Sequence, residues 1–248
     1  RNIQGGESIK DVDNYGLWLA IRMGVNDRGV LIGKTGGGKT TLAEFLICDP
    51  TKPYSVSWNP KGSEKVLEWD QKHVKSLTEL YDESEKTKGD RIINPRLVYT
   101  PSAMKARDEK DQYEFFYWIY ERRNTRLYID EATEIQYNGL KPPDYLTACL
   151  NRGRERGVST LTATQRPAGV PMNILSESEH YYVFKLNLHQ DRQRVEQICG
   201  ITIEQQIELK DFEFYYFNVS RGLLPRKLRI NLGAVKNAKR TTSQLATV

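Results

Sequence analysis

The sequence predicts an α/β fold, a mainly parallel central sheet with helices on both faces and a C-terminal β-hairpin. Three observations carry this. Short apolar runs of strand length alternate with helix-period segments over most of the 248 residues. A glycine-rich run from Gly33 to Thr40 stands between the first such strand and the first helix. Two extended runs, 212–219 and 227–230, lie close enough to pair as a hairpin. No internal repeat, low-complexity block or composition shift divides the chain. Residues 1–248 therefore read as one domain, with 1–28 as an N-terminal extension and 236–248 as a polar tail.

In chain order, the extension holds Tyr15, Leu17, Trp18 and Ile21 without a clear period, and the chain opens on Arg1, which leaves room for residues upstream. Residues 29–32 form a short apolar strand. Residues 41–47 form a helix with Leu42, Phe45 and Leu46 on one face. A second strand, 54–58, is stopped by Asn59-Pro60-Lys61-Gly62. The charged stretch 61–95 gives one helix, 74–85. A third strand, 97–100, lies between Pro95 and Pro101. Residues 112–123 carry Phe116, Ile119 and Tyr120 at helical spacing, a stripe read as core packing. A fourth strand covers 127–129. Residues 145–150 are helical and lead into the basic run 151–157. Strands follow at 159–164 and 181–186, then a helix at 192–199 ended by Gly200, then the hairpin.

Composition narrows the function classes. A 38% hydrophobic fraction over this length is enough for a sizeable core. Lys+Arg exceeds Asp+Glu by 37 − 32 = 5. That balance permits a nucleic-acid partner and equally describes a soluble surface with a few extra lysines. Cys48, Cys149 and Cys199 are far apart and odd in number, which argues against a disulfide framework or a zinc ribbon and for buried free thiols. His73, His180 and His189 lack metal-ligand spacing. No apolar run approaches the ~18–20 residues that cross a bilayer, and no signal peptide is present, so a soluble protein is expected.

The chemistry concentrates in three segments. Gly33, Lys34, Thr35, Gly36, Gly37, Gly38, Lys39 and Thr40 match G-x-x-x-x-G-K-[ST] in full, with a strand before and a helix, through Thr41, after. The glycines let backbone N–H groups turn inward around a phosphate chain, and the helix adds its positive end. Lys39 is expected to reach the β- and γ-phosphates of ATP, and the Thr40 hydroxyl to hold Mg2+. Next, the strand Leu127-Tyr128-Ile129 runs into Asp130 and Glu131. Asp130 is placed to bind Mg2+ directly or through water, and Glu131 to orient and deprotonate the attacking water. Glu134, one turn further, is read as a solvated or capping residue. Finally, the fifth strand ends in Thr164-Gln165-Arg166-Pro167. Gln165 at that tip is placed to touch the γ-phosphate or the lytic water. Arg152, Arg154 and Arg156 have no local partner but Glu155. They form either a solvated basic loop or an arginine finger offered to a neighbouring subunit, with Arg154 preferred because Gly153 beside it would allow close approach.

Together these segments resemble the FtsK–HerA superfamily of DNA-pumping ATPases. The resemblance rests on Gly33–Thr40, Asn59-Pro60-Lys61-Gly62, Leu127–Glu131, and the block from Asn151-Arg152-Gly153-Arg154-Glu155-Arg156-Gly157 to Ala163-Thr164-Gln165-Arg166-Pro167. It extends through Tyr182-Val183-Phe184-Lys185-Leu186 and the helix after it, covering roughly residues 25 to 230. Within the superfamily the chain looks most like the small genome-packaging ATPases of double-stranded DNA viruses with an internal membrane, since it lacks the membrane helices and large accessory domains of other members. The resemblance implies a RecA-like P-loop core assembled as a hexameric ring, and roles for Asp130, Glu131, Gln165 and one of the three arginines as given above. It also implies double-stranded DNA bound without sequence preference, partners at the capsid or membrane vertex, and work in the host cytoplasm or virion. Many relatives carry an acidic residue before the proline of the second strand, where this chain has Asn59. The alternatives are another pump of this type, for conjugation, secretion or repair, and a ring protein that uses ATP for assembly only.

Overall fold

The computed structural model describes residues 21–47, 54–136, 141–222 and 224–230. Tyr15, Leu17, Trp18, Cys48 and the tail after residue 230 lie outside them. The strands are β1 (Arg28–Ile32), β2 (Tyr54–Trp58), β3 (Lys72–Val74), β4 (Thr87–Lys88), β5 (Arg91–Ile92), β6 (Arg96–Tyr99), β7 (Thr125–Ile129), β8 (Ser159–Thr164), β9 (His180–Phe184), β10 (Glu213–Asn218) and β11 (Arg226–Arg229). The longer helices are α1 (Lys39–Ile47), α2 (Leu77–Glu85), α3 (Glu109–Arg122), α4 (Asp144–Arg156) and α5 (His189–Cys199).

Nine strands form one sheet in the order β11-β10-β9-β1-β8-β7-β2-β6-β3, and β4 and β5 pair separately. From β9 to β3 every pairing is parallel. β10 and β11 add an antiparallel edge, the expected C-terminal hairpin. The central strands are buried along their whole length, as parallel strands covered on both faces must be. Their residues alternate between two cores. Val30, Ile32, Leu127, Ile129, Tyr181 and Val183 face one core, which α2 to α5 cover with Leu80, Phe115, Phe116, Leu146 and Val195. Leu31, Tyr128, Tyr182 and Phe184 face the other, covered by Leu42, Ala43 and Leu46 of α1. The aromatic stripe of α3 is core, with Trp58 packed against both Phe115 and Phe116. Cys149 and Cys199 are buried free thiols, each pushed up to about 12 by burial.

Two local expectations change. Val74 is not a helix start but the end of the short strand β3, and α2 begins at Leu77, capped by the Ser76 side chain, which accepts the Glu79 N–H at 3.1 Å. The basic run after Leu150 is not loop but the second half of α4. That helix passes through Gly153 and stops only at Gly157, whose φ of +70° is left-handed. A side chain at Gly153 would put its Cβ 2.8 Å from the carbonyl oxygen of Val158. The glycine therefore makes room for its own chain's backbone.

Candidate functional site

The site lies along the C-terminal edge of the parallel strands, the edge where such sheets bind ligands. β1 sits between β8 and β9, and both fix the loop that follows it. Gly33 donates its N–H to the Thr164 carbonyl at 3.1 Å, and Lys34 to the Lys185 carbonyl at 2.8 Å. A Cβ on Gly33 would fall 2.5 Å from Cβ of Phe184, so no side chain fits there. Gly36 turns the loop with φ +77°. The C-terminal edge braces the same loop. The Phe212 N–H donates to the Gly37 carbonyl at 3.0 Å, and Asp211 pairs with Lys34 at 2.8 Å.

α1 starts at Lys39, whose ammonium donates to the carbonyls of Gly33 (2.6 Å) and Lys34 (2.9 Å). Burial pushes that ammonium down to about 8, against the opposing pull of Glu131 and Asp130. Thr35 is exposed on the loop, and Thr40 and Thr41 are half-buried in the first turn of α1. Tyr128, on β7, links the loop to the next segment. It hydrogen-bonds with Thr40 and donates its hydroxyl to Asp130 at 2.7 Å. Burial raises the Asp130 carboxyl, with Glu131 adding to the rise and the Tyr128 hydroxyl opposing it.

A continuous chain of side chains crosses this edge. Thr35 donates to Gln165 Oε1 at 2.6 Å, Gln165 Nε2 donates to Glu131 Oε2 at 3.1 Å, and Lys61 Nζ reaches the same oxygen at 3.2 Å. These residues follow β1, β8, β7 and β2, four consecutive strands of the sheet. Glu131 is 2% exposed. The structure thus gathers Lys39, Thr40, Asp130, Glu131 and Gln165 at one edge and adds Lys61, which sequence reasoning passed over. The sequence shows Lys61 only as part of the turn after the second strand, and the pairing of β2 with β7 is what brings it to the site. Asn59, fully buried, holds the turn that carries Lys61. Its Oδ1 accepts the Ser63 N–H at 2.8 Å, and its amide donates toward Ser63 O and Thr100 Oγ1. Arg166, next to Gln165, is bound to buried Asp191 at 3.0 Å at the start of α5.

The three arginines are elsewhere. β8 runs parallel to β1, with Arg28 opposite Thr160 and Ile32 opposite Thr164. The end of α4 is therefore at the opposite edge, roughly 17 Å away by strand length. Arg154 pairs with Glu179, which also holds Arg28 at 3.2 Å. Arg156 pairs with Glu121 at 3.1 Å and lies over the Tyr120 ring. Arg152 is exposed and forms no ion pair among the described residues. Two of the three thus have partners distant in sequence, beyond the Glu155 that the sequence offered.

Chemically, the edge combines a phosphate cradle with a buried carboxylate already engaged by an amide and an ammonium. The Thr40 hydroxyl and Asp130 carboxylate, bridged by Tyr128, are hard oxygen donors of the kind Mg2+ takes one or two at a time beside phosphate and water. Among the described residues no group of three or more His, Cys, Asp or Glu is arranged to hold a metal ion, and such a Mg2+ site needs none. No helix of the described residues is long and apolar enough to cross a membrane.

No family model matches the chain. DNA packaging ATPase P9 of Enterobacteria phage PRD1 is 25% identical over 214 residues, which are 81% of this chain and 86% of that protein. The genome packaging NTPase B204 from Sulfolobus turreted icosahedral virus 2, solved in complex with sulfate, matches with a TM-score of 0.65 at 17% identity, over 85% of this chain and 99% of that one. VirB4 of Thermoanaerobacter pseudethanolicus matches with a TM-score of 0.61 at 11% identity, over 93% of this chain and 98% of that one. The structural likenesses establish the P-loop NTPase fold.

Proposed function

We propose that this chain, an FtsK–HerA-type P-loop ATPase, packages a viral double-stranded DNA genome by ATP-driven translocation. The observation that carries the reading is the chain Thr35–Gln165–Glu131, which ties the phosphate loop to a buried carboxylate through an amide. The likeness to a phage packaging ATPase over most of both chains supports the cargo.

In this mechanism the amides of Gly33 to Thr40 and the Lys39 ammonium hold the β- and γ-phosphates. Thr40 and Asp130 would hold Mg2+, which supplies neutralising charge to the phosphates when bound. Gln165 orients a water, and Glu131 takes its proton as the water oxygen bonds to the γ-phosphorus. The bond from that phosphorus to the bridging oxygen breaks, and ADP keeps the electron pair. One arginine of 152, 154 and 156, on the far edge of the sheet, would serve the neighbouring subunit of a ring, expected to be a hexamer. DNA binding would be electrostatic and blind to sequence, with capsid or membrane-vertex proteins as further partners in the host cytoplasm or virion. A ring that uses ATP for assembly only has no need of Glu131 in so constructed a setting.

The test is steady-state ATP turnover with and without duplex DNA over a salt series. Duplex of any sequence should raise turnover, and the effect should fade steeply with salt as phosphate contacts are lost. Turnover unmoved by DNA at low salt contradicts the proposal.

A further inference from the structure

We infer that Lys61 is a positioning residue for Glu131, so that the ATPase site takes a working cation from β2 as well as Lys39 from the phosphate loop. The inference rests on Glu131 being the general base. Three observations carry it. First, Lys61 Nζ and Gln165 Nε2 converge on one carboxylate oxygen, Oε2, at 3.2 and 3.1 Å. The other oxygen, Oε1, accepts among the described residues only the Thr133 N–H, at 3.5 Å. Two donors on one oxygen fix the carboxylate's rotation and leave Oε1 to accept a proton from water. Second, the pair is asymmetric, with the Glu131 side chain 3% exposed and that of Lys61 40%. An exposed ion pair contributes little, but here the anion is buried, and losing the cation would leave its charge uncompensated. Third, the turn is built to aim Lys61. Asn59 closes it with its side chain as described above, the Gly62 N–H returns to the Asn59 carbonyl at 3.2 Å, and Gly62 takes the left-handed φ of +63°. Asn59 thus acts by setting the turn.

A phosphate-binding lysine and a base-positioning lysine separate kinetically. A phosphate ligand contributes to ATP affinity, whereas a residue that aims the base contributes in the transition state. The experiment compares Lys61→Met and Lys61→Arg with the unaltered protein in ATP turnover, binding of a fluorescent ATP analogue and thermal unfolding, with Glu131→Gln alongside. Lys61→Met should lower kcat about 10- to 100-fold, the scale of a misaimed catalytic group. Its KM and analogue affinity should move less than about threefold, and it should unfold cooperatively at a lowered temperature, since Glu131 stays buried without its cation. Lys61→Arg, which keeps charge and reach, should recover most of kcat. Unchanged kcat in Lys61→Met, or a loss of affinity that accounts for the fall in kcat/KM, overturns the inference. So does failure of Lys61→Arg to recover turnover in a folded protein. If Glu131→Gln itself retains turnover, the base assignment fails instead, and that outcome is read independently of the Lys61 variants.

Discussion

Replacing Gly33 with alanine tests whether close packing against β9 holds the phosphate loop. The added carbon would lie 2.5 Å from Cβ of Phe184 and 3.3 Å from that residue's Cα and carbonyl carbon. Carbon atoms settle at about 3.5–4.0 Å, so loop and strand must part by about 1 Å. The next residue of the same segment, Lys185, accepts the Lys34 N–H at 2.8 Å, and such a shift takes that bond beyond useful range. Overpacking costs about 1–3 kcal/mol, the lost bond about 1 kcal/mol and the positive φ of +157° at Gly33 about 1–2 kcal/mol more, together roughly 3–6 kcal/mol. At roughly 2–4 °C per kcal/mol for a chain of this size, Tm falls by roughly 6–24 °C. Gly36→Ala is the control. Nothing lies within 4 Å of its added carbon, so only the left-handed backbone is penalised, by about 1–2 kcal/mol. The assay is thermal unfolding of both variants with and without ATP. Gly33→Ala should be the less stable and lose the nucleotide-induced rise in Tm. A Gly33→Ala protein within about 1 kcal/mol of the unaltered chain, still stabilised by ATP, would refute the packing argument.

Other expectations follow from the same geometry. Glu131→Gln should keep ATP binding and lose turnover by about 10²-fold or more, the scale of a general base; near-normal turnover removes it from that role. Gln165→Ala should lower kcat with little change in ATP affinity, and a loss of affinity alone would make Gln165 a ground-state contact. Asp27 accepts from His180 at 2.8 Å, which chiefly lowers its carboxyl from 3.8 to about 2. A depressed carboxyl stabilises the fold above its unfolded value and loses that contribution as pH falls through about 2. Asp27→Asn should therefore cost about 1–2 kcal/mol at neutral pH, discounted for partial exposure, and flatten the acid limb of urea unfolding between about pH 4 and 2. An unchanged limb contradicts this. For the arginines, a subunit lacking Arg154 is mixed with one lacking Glu131. Each is inactive alone, and activity should partly return in mixed rings, since a finger in trans is worth about 10³-fold or more. No recovery in rings shown to be mixed places Arg154 in cis or makes it structural.

Most of the site edge was legible because its parts are short and contiguous. The eight residues from Gly33 to Thr40 carry their own loop, Asp130 and Glu131 stand as paired carboxylates after Leu127-Tyr128-Ile129, and Gln165 follows a β-branched run of strand length. Lys61 was not legible, because its meaning depends on strand order. Only the placement of β2 beside β7 brings it to Glu131. β3 escaped notice because three residues, one of them His73, show no alternation. The second half of α4 was missed because a glycine inside a helix costs about 1 kcal/mol relative to alanine, and local pattern gives no hint that the Val158 carbonyl needs the space at Gly153. The Arg154–Glu179 pair joins residues 25 apart through the start of β9, again a product of topology.

ATP hydrolysis at this edge is proposed to move duplex DNA. The most direct measurement is displacement of a triplex-forming third strand from a duplex, followed in time with ATP and Mg2+. The unaltered protein should displace the strand at a rate that tracks ATP turnover, irrespective of duplex sequence, and Glu131→Gln should bind ATP and displace nothing. Vigorous ATP turnover with the third strand left in place would mean that hydrolysis is not coupled to movement along DNA.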